Sequence, residues 1–287
     1  KLNITEQPNG GTFIKSTHNT LRMGGTPIMY WPYFAGEAKD IPLHKLVFGY
    51  GNTLGQYLQT GWDPFTLFGI KTPTGLSTDL RIDGYEERGV GIGLETNYSL
   101  SNHSGNLDMY FLADSGEQKT SSGVKMKVED QKRGYILWDD QTKVGNWTIQ
   151  SQLSYISDPT FMSVWRLGDF RNRREYETSF YAKYQANNWA FTTLASYELN
   201  QFISNSWLLA SRQYSVEKSP ELGFFHYGED LFDGALTWSS ETRITRERMV
   251  FQEGTPASNG LRRSAFTFPD GTLLGNTQPI SDVLDAQ

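Results

Sequence analysis

VGIGLETNY, Val90–Tyr98, reads in steps of two. Val90, Ile92, Leu94, Thr96 and Tyr98 fall on one side; Gly91, Gly93, Glu95 and Asn97 fall on the other. Successive side chains of a β-strand point to opposite faces, so this is a strand with one apolar and one polar face. The neighbouring segments repeat the pattern. Leu107, Met109, Phe111 and Ala113 oppose Asp108, Tyr110, Leu112 and Asp114. Upstream, Leu80 and Ile82 oppose Asp79, Arg81 and Asp83. Downstream, Trp147, Ile149, Ser151, Leu153 and Tyr155 oppose Thr148, Gln150, Gln152 and Ser154. Then Tyr176, Thr178, Phe180, Ala182 and Tyr184 oppose Glu177, Ser179, Tyr181, Lys183 and Gln185.

These runs reach about 9 to 12 residues, where soluble strands commonly have about 5–6 and a tilted membrane strand needs about 9–11. A charged face such as Asp79, Arg81 and Asp83 suits a water-filled lumen. The stretches between strands fall near 51–55, 64–76, 87–89, 100–106, 115–132, 142–146, 157–174, 186–188, 204–218 and 229–233. From the fourth onward they alternate short and long. In an up-and-down meander alternate connections emerge on one side, so one side has tight turns and the other long loops, as outer-membrane barrels do. The pattern predicts an all-β fold: an antiparallel transmembrane β-barrel fragment of about 11 meander strands. The Gly- and Pro-rich tail after Thr245 reads as loop.

Composition agrees. A chain of 287 residues holds one large β domain or two ordinary ones. Aromatic residues make up 14%, and the mean hydropathy of −0.52 is natural where polar lumen residues dilute lipid-facing ones. No apolar run is long enough for a transmembrane helix. The N-terminal KLNITEQPNGG lacks the apolar core of a signal peptide, so either a leader was removed or the chain begins within a longer protein. With no cysteine there is no disulfide, thiol catalysis or zinc–thiolate site. A net charge of −6 argues against nucleic acid as a partner, and contact with an anionic glycolipid needs local basic residues.

Sites of chemistry are few. His18, His44, His103 and His226 lack metal-ligand spacing, so no metal site and no cofactor is expected. Glu86-Glu87 and Asp139-Asp140 are adjacent on strands or at strand ends and cannot converge as an acid/base couple. Gly49, Gly51 and Gly55 do not have phosphate-loop spacing and fit a strand ending in a tight turn. Asn3, Asn97, Asn102 and Asn146 sit in short sequons of low specificity. Nothing points to an enzyme. Arg166, Arg171, Arg173 and Arg174 form a basic cluster that fits either a solvated loop or a contact with phosphate or carboxylate groups of a surface glycolipid.

Before the strand train lies GTPIMYWPYFAGEAKD, Gly25–Asp40. Pro27 and Pro32 oppose ladder pairing, so the segment reads as a stiff extended connector that cannot join a sheet as a regular strand. Its Gly25, Pro27, Tyr30, Pro32 and Tyr33 resemble the G-x-P-x-x-Y-x-P-Y run between periplasmic domain and barrel in the LptD family of lipopolysaccharide-assembly proteins. Two further features carry the resemblance. One is the Tyr85, Arg88, Gly89 turn within Leu43–Tyr98; the other is the Ser157-Asp158-Pro159 step after a strand. Together they span residues 20–245.

The resemblance implies that residues 1–35 are the end of a periplasmic β-jellyroll and connector, and residues 36–287 the N-terminal part of an incomplete outer-membrane barrel. It implies an integral outer-membrane location and passage of lipopolysaccharide into the outer leaflet through a lateral barrel seam. The implied partners are lipopolysaccharide, outer-membrane lipid, an LptE-like plug lipoprotein and an LptA-like periplasmic bridge. Met29, Tyr30, Trp31, Tyr33 and Phe34 would line the path from jellyroll to seam, or else pack the domain junction. Phe48, Gly49, Tyr50 and Gly51 would lie on the gate strand, weakened by its glycines. The alternatives are another outer-membrane porin or channel, or a soluble carbohydrate-active β-sandwich.

Overall fold

A computed structural model of the chain describes residues 2–6, 12–23, 26–37, 42–172, 175–200, 202 and 214–285. The fold is all-β and antiparallel. Strands β1 (Leu2–Glu6), β2 (Thr12–Met23) and β3 (Thr26–Glu37) form a three-stranded sheet. The alternating segments pair in strict sequence order into a second, eleven-stranded sheet. Its strands are β4 (Leu43–Gly51), β5 (Gly55–Trp62), β6 (Leu76–Tyr85), β7 (Gly89–Ser99), β8 (His103–Lys119) and β9 (Lys125–Val144), then β10 (Trp147–Ile156), β11 (Thr178–Ala186), β12 (Trp189–Tyr197), β13 (Tyr214–Leu231) and β14 (Leu236–Phe251). Among the described residues no helix is long and apolar enough to cross a membrane.

One expectation needs correction. The proline segment does join a sheet: β3 pairs with β2 from Phe13↔Glu37 to Met23↔Thr26. It does so as an edge strand, where a residue without an N–H costs no ladder bond on the solvent side. The described residues before Pro42 form three strands. The long sheet is open, as an incomplete barrel would be: β4 and β14 are its two edges and do not pair with each other.

Residues 115–132, expected as a loop, are mostly ladder. After a bulge between Asp114 and Gly116, pairing resumes at Gly116↔Val128 and runs to Lys119↔Lys125. Its β8 side, Gly116–Lys119, has no apolar residue, although the β9 side alternates Val124, Met126 and Val128 with Lys125 and Lys127. At 20 residues, β9 spans about 65 Å, twice the roughly 30 Å of a bilayer core. The tail is more than loop. Phe266, Leu274, Ile280 and Val283 converge into a small buried cluster, and Thr120 Oγ1 donates 2.7 Å to Gly260 O to tie the tail to the β8–β9 hairpin.

The register fixes two faces. Asp83, Gly91, Leu112 and Arg133 are successive cross-strand partners on one, which we call inner; Ile82, Ile92 and Phe111 are partners on the other. The expected split of apolar and polar residues over β7 and β8 is therefore observed. Ile92 is 55% exposed and Val90 62%. Farther along, the inner face carries Gln141, Gln150 and Tyr181 in one row, and Asp139, Gln152 and Ser179 in the next. On the outer face, beside the short turns at 145–146 and 187–188, Trp147, Tyr184, Trp189 and Phe224 form a chain of rings. Their successive centroids lie 5.1, 5.3 and 6.3 Å apart.

Two short helices, α2 (Phe161–Trp165) and α3 (Leu167–Arg171), follow β10 and pack on the inner face. A third, α1 (Pro64–Phe68), lies in the 63–75 connection, where Asp63 Oδ1 caps the N–H groups of Phe65 and Thr66. From α2 and α3, Phe161, Met162 and Phe170 enter the main core with Tyr85, Tyr110, Leu112, Tyr135, Leu137 and Ile156. The apolar triplet on so short a segment anchors it to the sheet, each fully buried side chain contributing about 1.5–3 kcal/mol.

Candidate functional site

Where α2 and α3 meet the inner face, strands β6 to β9 supply charged residues from their polar side. Arg88 and Asp114 have fully buried side chains. Arg88 Nε donates 2.8 Å to Asp114 Oδ1 and its Nη2 donates 2.6 Å to Oδ2. Arg133 Nη1 donates 2.6 Å to Asp114 Oδ2, while its Nε and Nη2 grip both oxygens of Asp158 at 2.8 Å. Two guanidiniums thus meet two carboxylates, and the cluster is neutral. A buried ion is stable only when so paired and hydrogen-bonded. Burial alone would raise the Asp158 carboxyl, but Arg133, Thr160 and Ser157 hold it below the ordinary carboxylate value.

A second cluster adjoins the first. Asp108 accepts from both Arg81 and Arg166, and Tyr135 Oη also donates to it at 2.9 Å. Arg166 Nε donates 2.6 Å to Asp169. Asp83 accepts from Tyr110 Oη at 2.9 Å, from Tyr85 Oη at 3.3 Å and from Thr60 N at 3.2 Å. Between these groups and α2 runs a cleft of about 330 Å³ that reaches Lys45 on the edge strand β4. Tyr85, Tyr110, Tyr135 and Phe161 form its apolar walls.

Glycines make the inner face possible. A Cβ at Gly91 would lie 2.0 Å from Tyr110 Oη, and one at Gly49 would lie 2.2 Å from the Tyr57 ring. Tyrosine rings therefore lie flat across glycine backbones. At Gly49 the glycine makes room for its cross-strand partner Tyr57.

The sites anticipated from sequence lie apart from this cluster. Phe48, Gly49, Tyr50 and Gly51 are on β4, an edge of the sheet, with Phe48 and Tyr50 exposed. Tyr30 and Tyr33 are half exposed on β3, an odd number of positions apart, and so on opposite faces. Tyr33 lies under Lys15, whose Nζ is 5.7 Å from the ring, and Tyr30 is 6.3 Å from His18. The side chains of Met29, Trp31 and Phe34 are outside the described residues, as is Gly25. The basic cluster divides. Arg166 turns inward, Arg171 is exposed at the end of α3, and Arg173 and Arg174 are outside the described residues. Among the described residues no group of His, Asp and Glu has the geometry to hold a metal. Sequence reasoning named Arg88 only as part of a turn and missed Arg133 and the carboxylate of Asp114 that both arginines share. The available signal was the recurrence of Asp and Arg on polar strand faces otherwise built from Gly and Tyr.

A second carboxylate group lies where β10 to β13 end beside the longer connections. Glu198 is pushed up to about 8 by burial and by Glu177, Glu175 and Glu217 nearby, against a lowering bond from Ser215.

No protein-family model matches the chain, and no curated protein does. Among solved structures it is similar to the crystal structure of Pseudomonas aeruginosa OccK8 (OprE), at 12% identity and a TM-score of 0.26. That likeness covers 85% of this chain and 65% of the other, so the chain spans less than two thirds of that protein's length. At that TM-score the two backbones do not superpose as one fold, and the functional reading rests on this chain's own geometry.

Proposed function

We propose that the eleven-stranded sheet is part of the wall of an outer-membrane β-barrel, with its outer face in lipid and its inner face on a water-filled passage. The observation that carries this is the division of one continuous ladder into an exposed apolar face and a polar one. The apolar face includes Val90, Ile92 and Phe111; the polar one includes Gln141, Gln150 and Gln152. A soluble sandwich would turn the apolar face inward against a second sheet. The ring chain from Trp147 to Phe224 supports the same reading, because aromatic girdles mark the membrane–water interfaces of such barrels. In this topology the ends of the strands at Lys119, Ile156, Tyr197 and Phe251 share the extracellular side. Fractionation of the full-length protein tests the reading: it should stay with membranes through alkaline carbonate washing and need detergent for release. Release by carbonate would overturn it.

Two transport roles fit such a wall. The first is passage of small solutes, which the polar inner face alone would serve. The second is lateral delivery of lipopolysaccharide, favoured by the exposed edge of β4 with Phe48 and Tyr50. An edge strand is a seam that can open without breaking a ladder. Photocrosslinkers at Phe48 and Tyr33 in the intact protein separate the two. Capture of lipopolysaccharide during transport supports delivery; single-channel conductance without capture supports a channel.

A further inference from the structure

The cleft beside β4 is basic on a chain whose net charge is −6. We propose that it binds an oxyanion: a phosphate or carboxylate group on a small polar molecule.

Charge is the first argument. Lys45, Arg81, Lys119 and Arg166 line the cleft, against the single lining carboxylate Asp83. Arg81 and Arg166 share Asp108 just behind the wall, and Arg166 also reaches Asp169. These four cations face Asp83, Asp108 and Asp169, with Asp79 beside Lys45 across Gly61 and paired with His44, and Asp83 is already occupied by two phenols and a backbone N–H. Lys45 and Lys119 are the two lining cations that form no ion pair among the described residues.

Shape is the second. A Cβ on Gly93 would lie 2.6 Å from Tyr110 Cδ2 and 3.1 Å from Arg81 Nε, so the glycine leaves the guanidinium space beneath the ring. Arg81 Nε is buried and has no hydrogen-bond partner among the described residues. Guanidinium groups present a planar fork that matches phosphate and carboxylate oxygens. The aromatic walls lower the local polarity, which strengthens an ionic contact inside. A volume of about 330 Å³ admits a phosphorylated monosaccharide but not a folded partner.

The inference deepens the barrel reading, since it makes the inner face a binding surface, and the chemistry is the same for a free anion and for a glycolipid headgroup. Calorimetry on the full-length protein in detergent tests it, with inorganic phosphate, glucose 6-phosphate and glucose as probes. Phosphate and glucose 6-phosphate should bind and glucose should not. Lys45→Gln, on an exposed edge position, should weaken phosphate binding roughly tenfold, the loss expected for one charge-assisted contact. Lys183→Gln, on the inner face away from the cleft, should leave it unchanged. Tighter binding of glucose 6-phosphate than of phosphate identifies a sugar-borne group, as on a headgroup; equal binding identifies a free anion. No heat with phosphate, or equal weakening by both lysine variants, overturns the proposal. A protein that inserts into membranes yet ignores phosphate refutes the site alone. One that binds phosphate but washes off membranes refutes the barrel instead.

Discussion

Arg133 on β9 holds both carboxylate oxygens of Asp158 at 2.8 Å, and Asp158 opens the segment that carries α2 and α3. The same guanidinium reaches Asp114 on β8 through Nη1. One side chain thus ties a connecting segment to the sheet at the point where that segment turns onto the inner face. Phe161 and Met162 then bury completely, so the segment is fixed by packing as well as charge.

Asp114→Ala should be the most damaging change in this cluster. It strands Arg88 and Arg133 without their shared carboxylate in a site closed to solvent, which costs about 3–5 kcal/mol. Urea titration of the protein folded into vesicles measures this. A loss below about 1 kcal/mol, the range of an exposed pair, would mean that the network is solvated.

Asp158→Asn keeps shape but removes charge. It should make the 157–171 segment open to protease while the strands stay protected, because only the segment depends on this contact. The Asp158 carboxyl lies below its ordinary value in the folded protein. Its contribution is therefore present above the unfolded carboxylate value and is lost as pH falls through the folded one. Acidification should release the segment in the native protein and have less effect in Asp158→Asn. Equal pH profiles for the two would contradict this role.

Glu198 has the opposite sign. Its folded value, raised to about 8, exceeds that of an unfolded carboxyl, so the folded state holds a proton that the unfolded chain gives up. Stability should decline as pH rises from about 4.5, the unfolded value, to about 8, and this contribution should level off above it. Glu198→Gln should flatten that decline. A steeper decline in the variant would show that Glu198 is not the group responsible.

Topology is checked by cysteines added one at a time to a chain that has none. Those at Ser121 and Gly168 should react with an impermeant maleimide on intact cells, and those at Gly145 and Asn187 should not. The antiparallel order of the strands puts the first pair on one side and the second on the other. The reverse labelling would invert the assignment of outside and periplasm.

Most of the eleven strands were legible because they carry a period-two alternation that survives without a partner in view, although β4, with Leu46, Val47 and Phe48 in a row, does not. Val90–Tyr98 alone fixes both faces of β7. The charged cluster was not legible, because Arg88 and Asp158 lie in connections, where alternation says nothing about which residues meet. Asp158 stood out only as part of a Ser-Asp-Pro step; its partner lies 25 positions upstream. The β8–β9 extension was missed because its β8 side, Gly116–Lys119, has no apolar residue; the alternation of Val124, Met126 and Val128 with Lys125 and Lys127 on the β9 side was a signal left unread. The pairing of β3 was missed because proline was read as a barrier everywhere, when an edge strand has one side with no ladder to break.

The central claim is that one face of the long sheet meets lipid and the other water. Spin labels placed singly at each position from Trp147 to Ile156 test it most directly, by comparing collision with oxygen, enriched in lipid, and with a water-soluble nickel chelate. The account predicts a period of two. Ile149, Ser151 and Leu153 should favour oxygen, while Gln150 and Gln152 should favour the chelate. Uniform access of the chelate along β10, or oxygen access on the Gln150 face, would contradict it.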